Sequence, residues 1–450
     1  MAETDYRILL DTIRRLIEED ALPELERAIG ELHPADLADV VEHLEDDERL
    51  SIFQILPPGV ASEVLIEIST PIQESLTHEL DDRALSHILN ELNSDDAADI
   101  FSHLPQERAE SMLGLVQPEV AEELKKLIRY ETDTAGGIMA LEFVSVSANS
   151  TIREAIETIR KKREEVENLY YVWVVDDSGK LVGVVSIKDL VLEPRDKKIG
   201  DIMNPDVISV DANTDQEEVA RIVRQYDLVN VPVVNGHHRL IGRITHDDII
   251  DVIEEEASED ISLMGGVIDQ EIAEESALKM SRARLPWLLL GLLGGVLSAL
   301  VISHFHTSIE KILALSFFIP VIMAMGGNTG TQAATVVIRG LATGDISIVR
   351  TGKRLLTELW VALINGILCG ILLGLIVAFW LSDRHLGLGV GLSLISVIIF
   401  SGSFGAFVPF ALKKFNIDPA LAAGPFITTS NDILGLLIYL TMITQFLGNA

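Results

Sequence analysis

Apolar and polar positions follow three different patterns along this chain. Up to about residue 130, apolar residues recur at helical spacing, as between Ile8 and Ile17, and proline or acidic breaks follow each short run. From Gly136 the pattern changes to β-branched runs separated by glycine turns. From about residue 285 it changes again, to segments long enough to cross a bilayer. The pattern predicts a helical part, an α/β part and a membrane part, in that order.

A repeat is visible within the helical part, residues 1–130. The segment His33–Leu44 aligns with Asn93–Leu104 and shares five identical residues with it. Repeated helical units stack their apolar faces, so we expect an all-α superhelical domain here. Asp36 and Asp96 fall at the start of the predicted helices, and stabilisation of the helix N-terminus is the favoured interpretation for both.

Two further segments repeat within residues 131–260. Val144–Ala155 resembles Ile208–Val219, and Val182–Val191 resembles Ile241–Ile250. Each unit is predicted to run strand, helix, strand, turn, strand, helix. A glycine-bearing strand, then Ser or Thr, then an Asp that opens a helix, resembles a tandem pair of CBS domains. Such pairs often bind adenine nucleotides such as ATP, and a purely structural dimerisation unit is the alternative.

The second repeat ends in an unusually acidic stretch. Thr245–Asp260 holds eight acids and no Lys or Arg. On a helix, four of the acids share one face, namely Asp248, Asp251, Glu255 and Glu259. Like charges at that spacing oppose the helix by ~0.2–0.5 kcal/mol per pair, and a bound divalent cation reverses the sign. A solvated charged face is the alternative, but the lack of any base favours a Mg²⁺ site.

Residues 261–281 are predicted to form a linking helix that ends in basic residues and leads into the membrane. Five hydrophobic segments follow, at roughly 285–303, 312–338, 355–382, 386–412 and 420–447. The basic residues between them place the N-terminus in the cytoplasm and the C-terminus outside the cell membrane. The first 20 residues carry acids and no apolar core, so no secretory signal is predicted.

The last hydrophobic segment contains an acid. Asp432 is the only charged residue in the 27 residues between Leu421 and Leu447. A carboxylate at that depth costs at least ~2.5–3.5 kcal/mol, so it must face water, a partner or a cation. We expect Asp432 to contact a permeating cation, and a protonated Asp hydrogen-bonded inside a helix bundle is the alternative.

The second hydrophobic segment carries the polar stretch Gly326–Gln332. We expect its glycines to loosen the helix and expose carbonyl oxygens, while simple helix packing through small residues is the alternative. Hard oxygen ligands without His or Cys suit Mg²⁺ or Ca²⁺. A twofold dimer would bring two copies of Asp432 to one pore. The candidate pore-lining residues are Gly326, Gly327, Asn328, Gln332 and Asn431.

Charge is divided very unevenly along the chain. Residues 281–450 hold ten Lys or Arg and six Asp or Glu, which leaves 25 basic and 63 acidic residues in 1–280. So acidic a soluble half argues against nucleic acid as a partner and suits cations. The single cysteine, Cys369, lies in a hydrophobic segment and offers neither a disulfide framework nor a thiolate metal site.

The order of acidic helical domain, CBS pair, linking helix and five spans resembles the MgtE family of magnesium channels over essentially the whole chain. The most specific elements are Gly326–Gly330, Asp418-Pro419-Ala420, and Asp432 followed by Gly-Leu-Leu-Ile-Tyr at 435–439. The resemblance implies a multi-domain membrane protein, here with the pore domain at 282–450. It also implies a homodimer in the lipid bilayer that conducts Mg²⁺ and is closed when cytosolic Mg²⁺ binds its acidic domains.

The same resemblance implies the site residues. The metal ligands in the membrane domain are Asp432 and Asp418. The sensory ligands are Glu63, Asp95 and Asp99 in the helical domain, Asp215, Glu217, Asp227, Asp248 and Asp251 in the CBS pair, and Glu256, Glu259 and Asp260 leading to the linking helix. Other functions stay open: transport of another divalent cation such as Co²⁺ or Mn²⁺, transport coupled to Na⁺ or H⁺, a membrane enzyme regulated by its CBS pair, and a sensor whose main signal is ATP.

Overall fold

The structure, a computed structural model, describes residues 3–163, 166, 168–265, 277–343, 351–415, 417–422 and 424–448. The chain divides into two compact units, Met1–Glu254 and Glu255–Ala450. The first unit contains the helical part and both CBS-like repeats. The second contains the hydrophobic segments. The division falls within the acidic stretch that begins at Thr245.

Ten helices begin the first unit, where every residue from 3 to 131 is described. They are α1 (Glu3–Glu18), α2 (Leu22–Gly30), α3 (Pro34–Glu42), α4 (Asp46–Ile55), α5 (Pro58–Glu67), α6 (Thr70–Glu79), α7 (Asp82–Leu89), α8 (Ser94–Ser102), α9 (Gln106–Met112) and α10 (Pro118–Leu127). Proline occupies the first or second position of five of them, where its missing N–H leaves no intrahelical bond unmade. The predicted all-α part is confirmed.

The internal repeat corresponds to the helices α3 and α8. Each follows an extended residue, His33 or Asn93, and each carries its repeated acid, Asp36 or Asp96, in the first turn. An acid in that turn stabilises the positive end of the helix. The expected position of both acids in a first helical turn is confirmed. Asp96 also lies near other acids, including Asp248.

The helical part shares its apolar core with the second CBS-like repeat. Leu37 and Leu89 belong to the same buried cluster as Ile244, and all three have no exposed surface. The first CBS-like repeat has a separate core around Val172 and Val174. The helical part is therefore packed against the second repeat.

Both repeats have the predicted order of elements. The first contains β1 (Ser145–Ser147), α11 (Ile152–Lys161), β2 (Tyr171–Val175), β3 (Leu181–Ser186) and α12 (Ile187–Leu192), and the second contains β4 (Val210–Asp211), α13 (Gln216–Tyr226), β5 (Asn230–Val234), β6 (Leu240–Thr245) and α14 (His246–Gly265). A short 3₁₀ helix, Ile199–Asp201, lies between them. In each three-stranded sheet the first strand runs parallel to the middle strand and the last runs antiparallel to it.

The Ser/Thr and Asp of the CBS signature form the start of a helix. Ser186 donates its hydroxyl to the Asp189 carboxylate at 2.7 Å. In the second repeat the Thr245 hydroxyl donates to the Asp248 carboxylate, and the Thr245 N–H donates to the same oxygen at 3.0 Å. These bonds hold Asp248 at the junction of β6 and α14.

The second unit is built from long helices. They are α15 (Ala277–His304), α16 (His306–Lys311), α17 (Ala314–Ala342), α18 (Thr351–Trp380), α19 (Arg384–Lys414) and α20 (Pro425–Gly448), with a 3₁₀ helix at Pro419–Ala422 before the last. Within the described residues, four are long and apolar enough to cross a membrane: α15, α18, α19 and α20. The 29-residue α17 has the length but is not among these four, and its middle carries the polar residues Asn328, Thr329 and Gln332. The count of five spans stays a prediction.

Two predicted boundaries differ in the structure. The last helix begins at Pro425, later than the expected 420, because Pro419–Ala422 forms a separate 3₁₀ turn. Of the expected linking helix, 261–265 form the end of α14 and 277–281 form the start of α15. Residues 266–276 lie outside the described residues, so the linking helix stays a prediction.

Glycines allow α18 and α19 to approach closely. A Cβ at Gly374 would lie 2.9 Å from the Gly387 carbonyl oxygen, and a Cβ at Gly391 would lie 2.6 Å from the Gly370 carbonyl oxygen. Glycines spaced four residues apart on each helix therefore form the contact, as is common between membrane helices.

Candidate cation sites

Buried acids of α8 and α14 form the first candidate site. Asp95, the second residue of α8, is only 7% exposed. Burial raises its pKa well above the ordinary range, and the negative charges of Asp248, Asp96 and Glu142 raise it further. Ionised carboxylates therefore repel one another in a place from which water is largely excluded.

The neighbouring acids show the same effect. Burial raises the pKa of Asp96 to about 7, and the charges of Asp248 and Asp99 act in the same direction. Burial also raises the pKa of Asp248, although its hydrogen bonds from Thr245 oppose the shift. The pKa of Asp251 is raised by burial and then by Asp248. Such a group of acids gains free energy by binding a proton or a cation.

Other predicted ligands of the first unit have different surroundings. Glu63 on α5 and Asp99 on α8 are exposed. Asp215 is the N-cap of α13 and accepts a hydrogen bond from the Glu217 N–H at 2.9 Å. Asp227 ends the same helix in the left-handed conformation, with φ +52°. Asp215 and Asp227 therefore have structural roles, and their role as ligands stays a prediction.

The remaining predicted sensory acids lie in the second unit, in the later half of α14: Glu256, Glu259 and Asp260. Across the part of the chain that the structure describes, no three His, Cys, Asp or Glu side chains are arranged to hold a metal ion. Mg²⁺ keeps several of its waters and often uses only one or two carboxylates. The pair Asp95 and Asp248 is compatible with that mode of binding.

The sequence did not single out three members of this group. The sequence predicts only a first-turn acid at Asp96 and gives no role to Glu142 or Asp247, yet all three contribute negative charge around Asp95 or Asp96. Their proximity arises from contacts between α8, the segment after α10 and α14. The one available signal was the lack of bases after Thr245.

The second candidate site lies on α17. The expectation that its glycines loosen the helix is wrong, because α17 is continuous from Ala314 to Ala342. Gly330 instead provides the closest contact, with Gly405 of α19 on one side and Asn431 of α20 on another. Small residues here permit three helices to meet. The packing alternative therefore accounts for the glycines.

The polar side chains near this contact are divided between two faces. Asn431 is 1% exposed, and its Nδ2 donates to the Gly326 carbonyl oxygen at 3.4 Å. Gly326 and Gly327 are buried, whereas Asn328 and Gln332, one turn apart, are exposed in the single chain. The carboxamides on α17 are therefore available to water or to a partner.

The two candidate acids of this unit, Asp432 and Asp418, differ in their exposure to solvent. Asp432 follows Asn431 on α20 and is partly buried. Asp418 is exposed, and its carboxylate accepts a hydrogen bond from the Ala420 N–H at 2.8 Å, which begins the 3₁₀ turn. Further along α20, the Tyr439 hydroxyl donates to the Leu315 carbonyl oxygen at 2.9 Å. That bond and the one from Asn431 set the position of α20 along α17.

Family models match most of the chain. The model of the MgtE divalent cation transporter matches residues 319–442, that of the MgtE intracellular N domain matches 32–133, and that of the CBS domain matches 135–196 and 199–255. The magnesium transporter MgtE of Thermus thermophilus is 36% identical over 437 residues, which are 96% of this chain and 97% of that protein. The chain belongs to the MgtE family. The resemblance inferred from its motifs is confirmed.

Two other MgtE proteins are also similar to this chain over most of its length. The magnesium transporter MgtE of Bacillus subtilis is 32% identical over 98% of each chain, and that of Enterococcus faecalis is 40% identical over 73% of this chain and 72% of its own. With its apolar helices, this member of the MgtE family is a membrane protein.

Solved structures match about half of this MgtE family member. The soluble part of a magnesium transporter has a TM-score of 0.51 and 33% identity, and covers 56% of this chain and 99% of its own. The cytosolic domain of the Mg²⁺ channel MgtE in complex with ATP has a TM-score of 0.52 and 35% identity, and covers 54% of this chain and 99% of its own. The predicted fold class, an all-α domain and a CBS pair joined to a helical membrane domain, is confirmed.

Proposed function

We propose that this chain transports Mg²⁺ across the cell membrane as a homodimer and closes when Mg²⁺ binds its acidic domains. The observation that carries the proposal is the 36% identity, over 96% of the chain, to a magnesium transporter. The chemistry of the chain is consistent with it, because the candidate ligands are hard oxygen donors. The N-terminus is cytoplasmic and the C-terminus extracytoplasmic, as the basic residues between the spans indicate.

The permeation path lies at a twofold axis lined by α17 and α20. Asn328 and Gln332 are exposed in the single chain although they lie in the middle of an otherwise apolar helix. Carboxamides facing lipid leave their hydrogen bonds unmade, which is costly. A second copy would convert that face into the wall of an aqueous pore and bring two Asp432 carboxylates together. A hydrated Mg²⁺ would bind there through its waters.

Closure begins at the acids of the first unit. Without a cation, Asp95, Asp96 and Asp248 repel one another, and a bound Mg²⁺ replaces that repulsion with attraction. In the second unit, Leu263 and Met264 at the end of α14 pack against a cluster that includes Ala334 and Ile338 of α17. Within the second unit, the end of α14 therefore contacts the helix that carries the pore amides, which supports the proposal of negative feedback.

ATP is a further proposed ligand of the CBS pair. A structural relative with 35% identity is described as a cytosolic MgtE domain in complex with ATP. We propose that ATP adjusts the response to Mg²⁺, since the acidic group near Asp95 is formed by α8 and α14 and needs no nucleotide.

The test is ion flux through the purified full-length protein in liposomes. We expect Mg²⁺ influx above that of empty liposomes, and weaker flux of Co²⁺ and Mn²⁺ at equal concentration. Preferred Co²⁺ or Mn²⁺ flux would establish the alternative of another divalent cation. Flux that requires a Na⁺ or H⁺ gradient would establish a coupled transporter, and the absence of flux for every ion tested would contradict transport.

A further inference from the structure

Three hydrogen bonds join the N-terminus of α8 to the segment that follows the helical part. The Glu142 carboxylate accepts from the Ser94 N–H at 3.0 Å with one oxygen and from the Ser94 hydroxyl at 2.8 Å with the other. The Leu141 N–H donates to the Ser94 hydroxyl oxygen at 2.8 Å. Ser94 is only 3% exposed, so the three bonds are largely shielded from water. We call this group the Ser94–Glu142 clasp.

The clasp supplies a cap that α8 does not provide for itself. Asn93 occupies the N-cap position in an extended conformation, but its side chain makes no capping hydrogen bond. Glu142, 48 positions after Ser94, places a carboxylate at this helix end instead. A negative charge there is favoured by the helix dipole. The start of α8, with Asp95 as its second residue, is therefore fixed by a residue outside the helical domain.

The segment that carries Glu142 is also hydrogen-bonded to the strand that leads to Asp248. The Ala140 N–H donates to the Arg243 carbonyl oxygen at 2.8 Å, and the Arg243 N–H donates to the Ala140 carbonyl oxygen at 2.9 Å. Arg243 lies on β6, and that strand ends at Thr245, which is hydrogen-bonded to Asp248. A continuous series of bonds thus leads from Ser94 through Glu142 and β6 to Asp248.

We propose that Glu142 is a positioning residue for the response to Mg²⁺: through Ser94 it holds Asp95 of α8 against Asp248 of α14. The proposal rests on the proposed function, in which these two acids sense the cation. Acids that repel one another must be held together if they are to form a site before the cation arrives. Each oxygen of Glu142 accepts a hydrogen bond from Ser94, so Glu142 acts on the site through α8.

Three substitutions separate positioning from a direct effect of charge. Glu142→Ala removes the acceptors and the charge, whereas Glu142→Gln removes the charge and keeps one acceptor oxygen. Ser94→Ala removes the hydroxyl that donates to Glu142 and accepts from the Leu141 N–H, and it leaves every acid in place. Glu131→Gln is the control, because Glu131 is an exposed acid in the same segment. Asp95→Asn serves as the reference for loss of the sensor.

The experiment measures Mg²⁺ flux of the full chain in liposomes as Mg²⁺ is raised on the side of the acidic unit. We expect Ser94→Ala and Glu142→Ala each to raise the half-inhibitory Mg²⁺ concentration about tenfold, the effect of a lost charged hydrogen bond. The double variant should do no more than either single one, and Glu142→Gln should fall between wild type and Glu142→Ala. Glu131→Gln should match wild type.

Hydrogen exchange of the Ser94 amide in the same proteins tests the clasp without reference to closure. We expect exchange about tenfold faster in Glu142→Ala, which removes the acceptor of this N–H. We expect a smaller increase in Ser94→Ala, which keeps that bond and loses the other two, and unchanged exchange in Asp95→Asn. Wild-type exchange in Ser94→Ala and in both Glu142 variants would overturn the proposal. The proposal would also be overturned if Glu142→Gln and Glu142→Ala raised the half-inhibitory Mg²⁺ concentration equally while Ser94→Ala left it as in wild type. The lost charge alone would then explain the effect. Wild-type flux that is insensitive to Mg²⁺ would instead contradict the proposed function, and the amide exchange would still decide whether the clasp exists.

Discussion

The side-chain amide of Asn431 on α20 donates to the main-chain carbonyl of Gly326 on α17, with 3.4 Å between nitrogen and oxygen. Asn431 is 1% exposed, so this bond lies inside the helix bundle. The next residue is Asp432, which is partly buried. The turn of α20 that carries the candidate permeation acid is therefore attached to the polar stretch of α17.

This attachment predicts opposite tolerances at two adjacent positions. Asn431→Asp replaces the donor by a carboxylate that faces the Gly326 carbonyl oxygen, so we expect a loss of at least ~2.5–3.5 kcal/mol or a failure to fold. Asp432→Asn removes a charge at a partly buried position and should leave folding intact. Thermal unfolding of both variants in detergent measures the difference. An Asn431→Asp protein as stable as wild type would contradict the buried attachment.

A second prediction concerns the crossing of α17 and α19. A Cβ at Gly405 would lie 2.9 Å from the Gly330 Cα, and a main-chain atom cannot give way as a side chain can. We expect Gly405→Ala to lower stability by about 1–3 kcal/mol, since overpacking forces the helices apart.

Gly295 offers a matched control for this substitution. It also lies within a helix, α15, but a Cβ there would have no neighbour within 4 Å. Gly295→Ala should be neutral or stabilise by up to about 1 kcal/mol through helix propensity. Equal unfolding temperatures for the two variants in detergent would mean that the close contact at Gly405 has no energetic importance.

A third prediction is a pH dependence of the first unit. The pKa of Asp96 is about 7 in the folded chain, against an ordinary value of 3.8. Between these values the folded state binds more protons than the unfolded state, so stability is present at low pH and is lost as pH rises through the folded pKa. Without divalent cations we expect a decrease on the order of a few kcal/mol between about pH 4 and pH 7.

Hydrogen exchange of peptides from α8, followed in the full chain, measures this dependence. Asp96→Asn cannot ionise, so it should flatten the pH profile. Millimolar Mg²⁺ should do the same in wild type, because the cation takes the place of the protons. Stability that increases from pH 4 to pH 7 in the absence of cations would show that the acids are not held together as described.

A fourth prediction concerns closure. Replacing both Asp248 and Asp251 by Ala removes two of the acids with raised pKa at the start of α14. We expect the Mg²⁺ concentration that halves the flux to rise at least tenfold, while the maximal flux stays as in wild type. Substitution of Asp176 and Asp177, two acids in a turn of the other CBS repeat, is the control. Unchanged sensitivity to Mg²⁺ in the Asp248 and Asp251 variant would remove these acids from the sensor.

The parts of the fold visible in the sequence were those with a local signal. Helical spacing, the repeated signature that ends at Asp248, and the hydrophobic segments each depend on residues close together in the chain. The boundary at Pro425 was missed because an apolar run does not distinguish a 3₁₀ turn from a helix. The glycines of α17 were misinterpreted because the same residues suit a loosened helix and a close helix contact, and only Gly405 and Asn431 decide between them.

The sites were predictable to a smaller extent. Asp432 stood out because a lone acid in an apolar segment has a cost that needs an explanation. Glu142 did not, because its partner Ser94 lies 48 positions away and neither residue belongs to a pattern. In the sequence Asp96 is an ordinary first-turn acid, and only the fold shows that Asp248 of α14 lies near it. Tertiary contacts of this kind leave no periodic signal.

The most direct test of the account compares Mg²⁺ flux through wild type and Asp432→Asn in liposomes while Mg²⁺ is raised on the side of the acidic unit. The exposed acid Glu310, replaced by Gln, is the control for a change of charge in the same unit. We expect wild-type and Glu310→Gln flux to fall as Mg²⁺ rises, and Asp432→Asn, folded to the same degree, to show no flux. Flux that persists in Asp432→Asn would place the permeation path elsewhere and contradict the central claim.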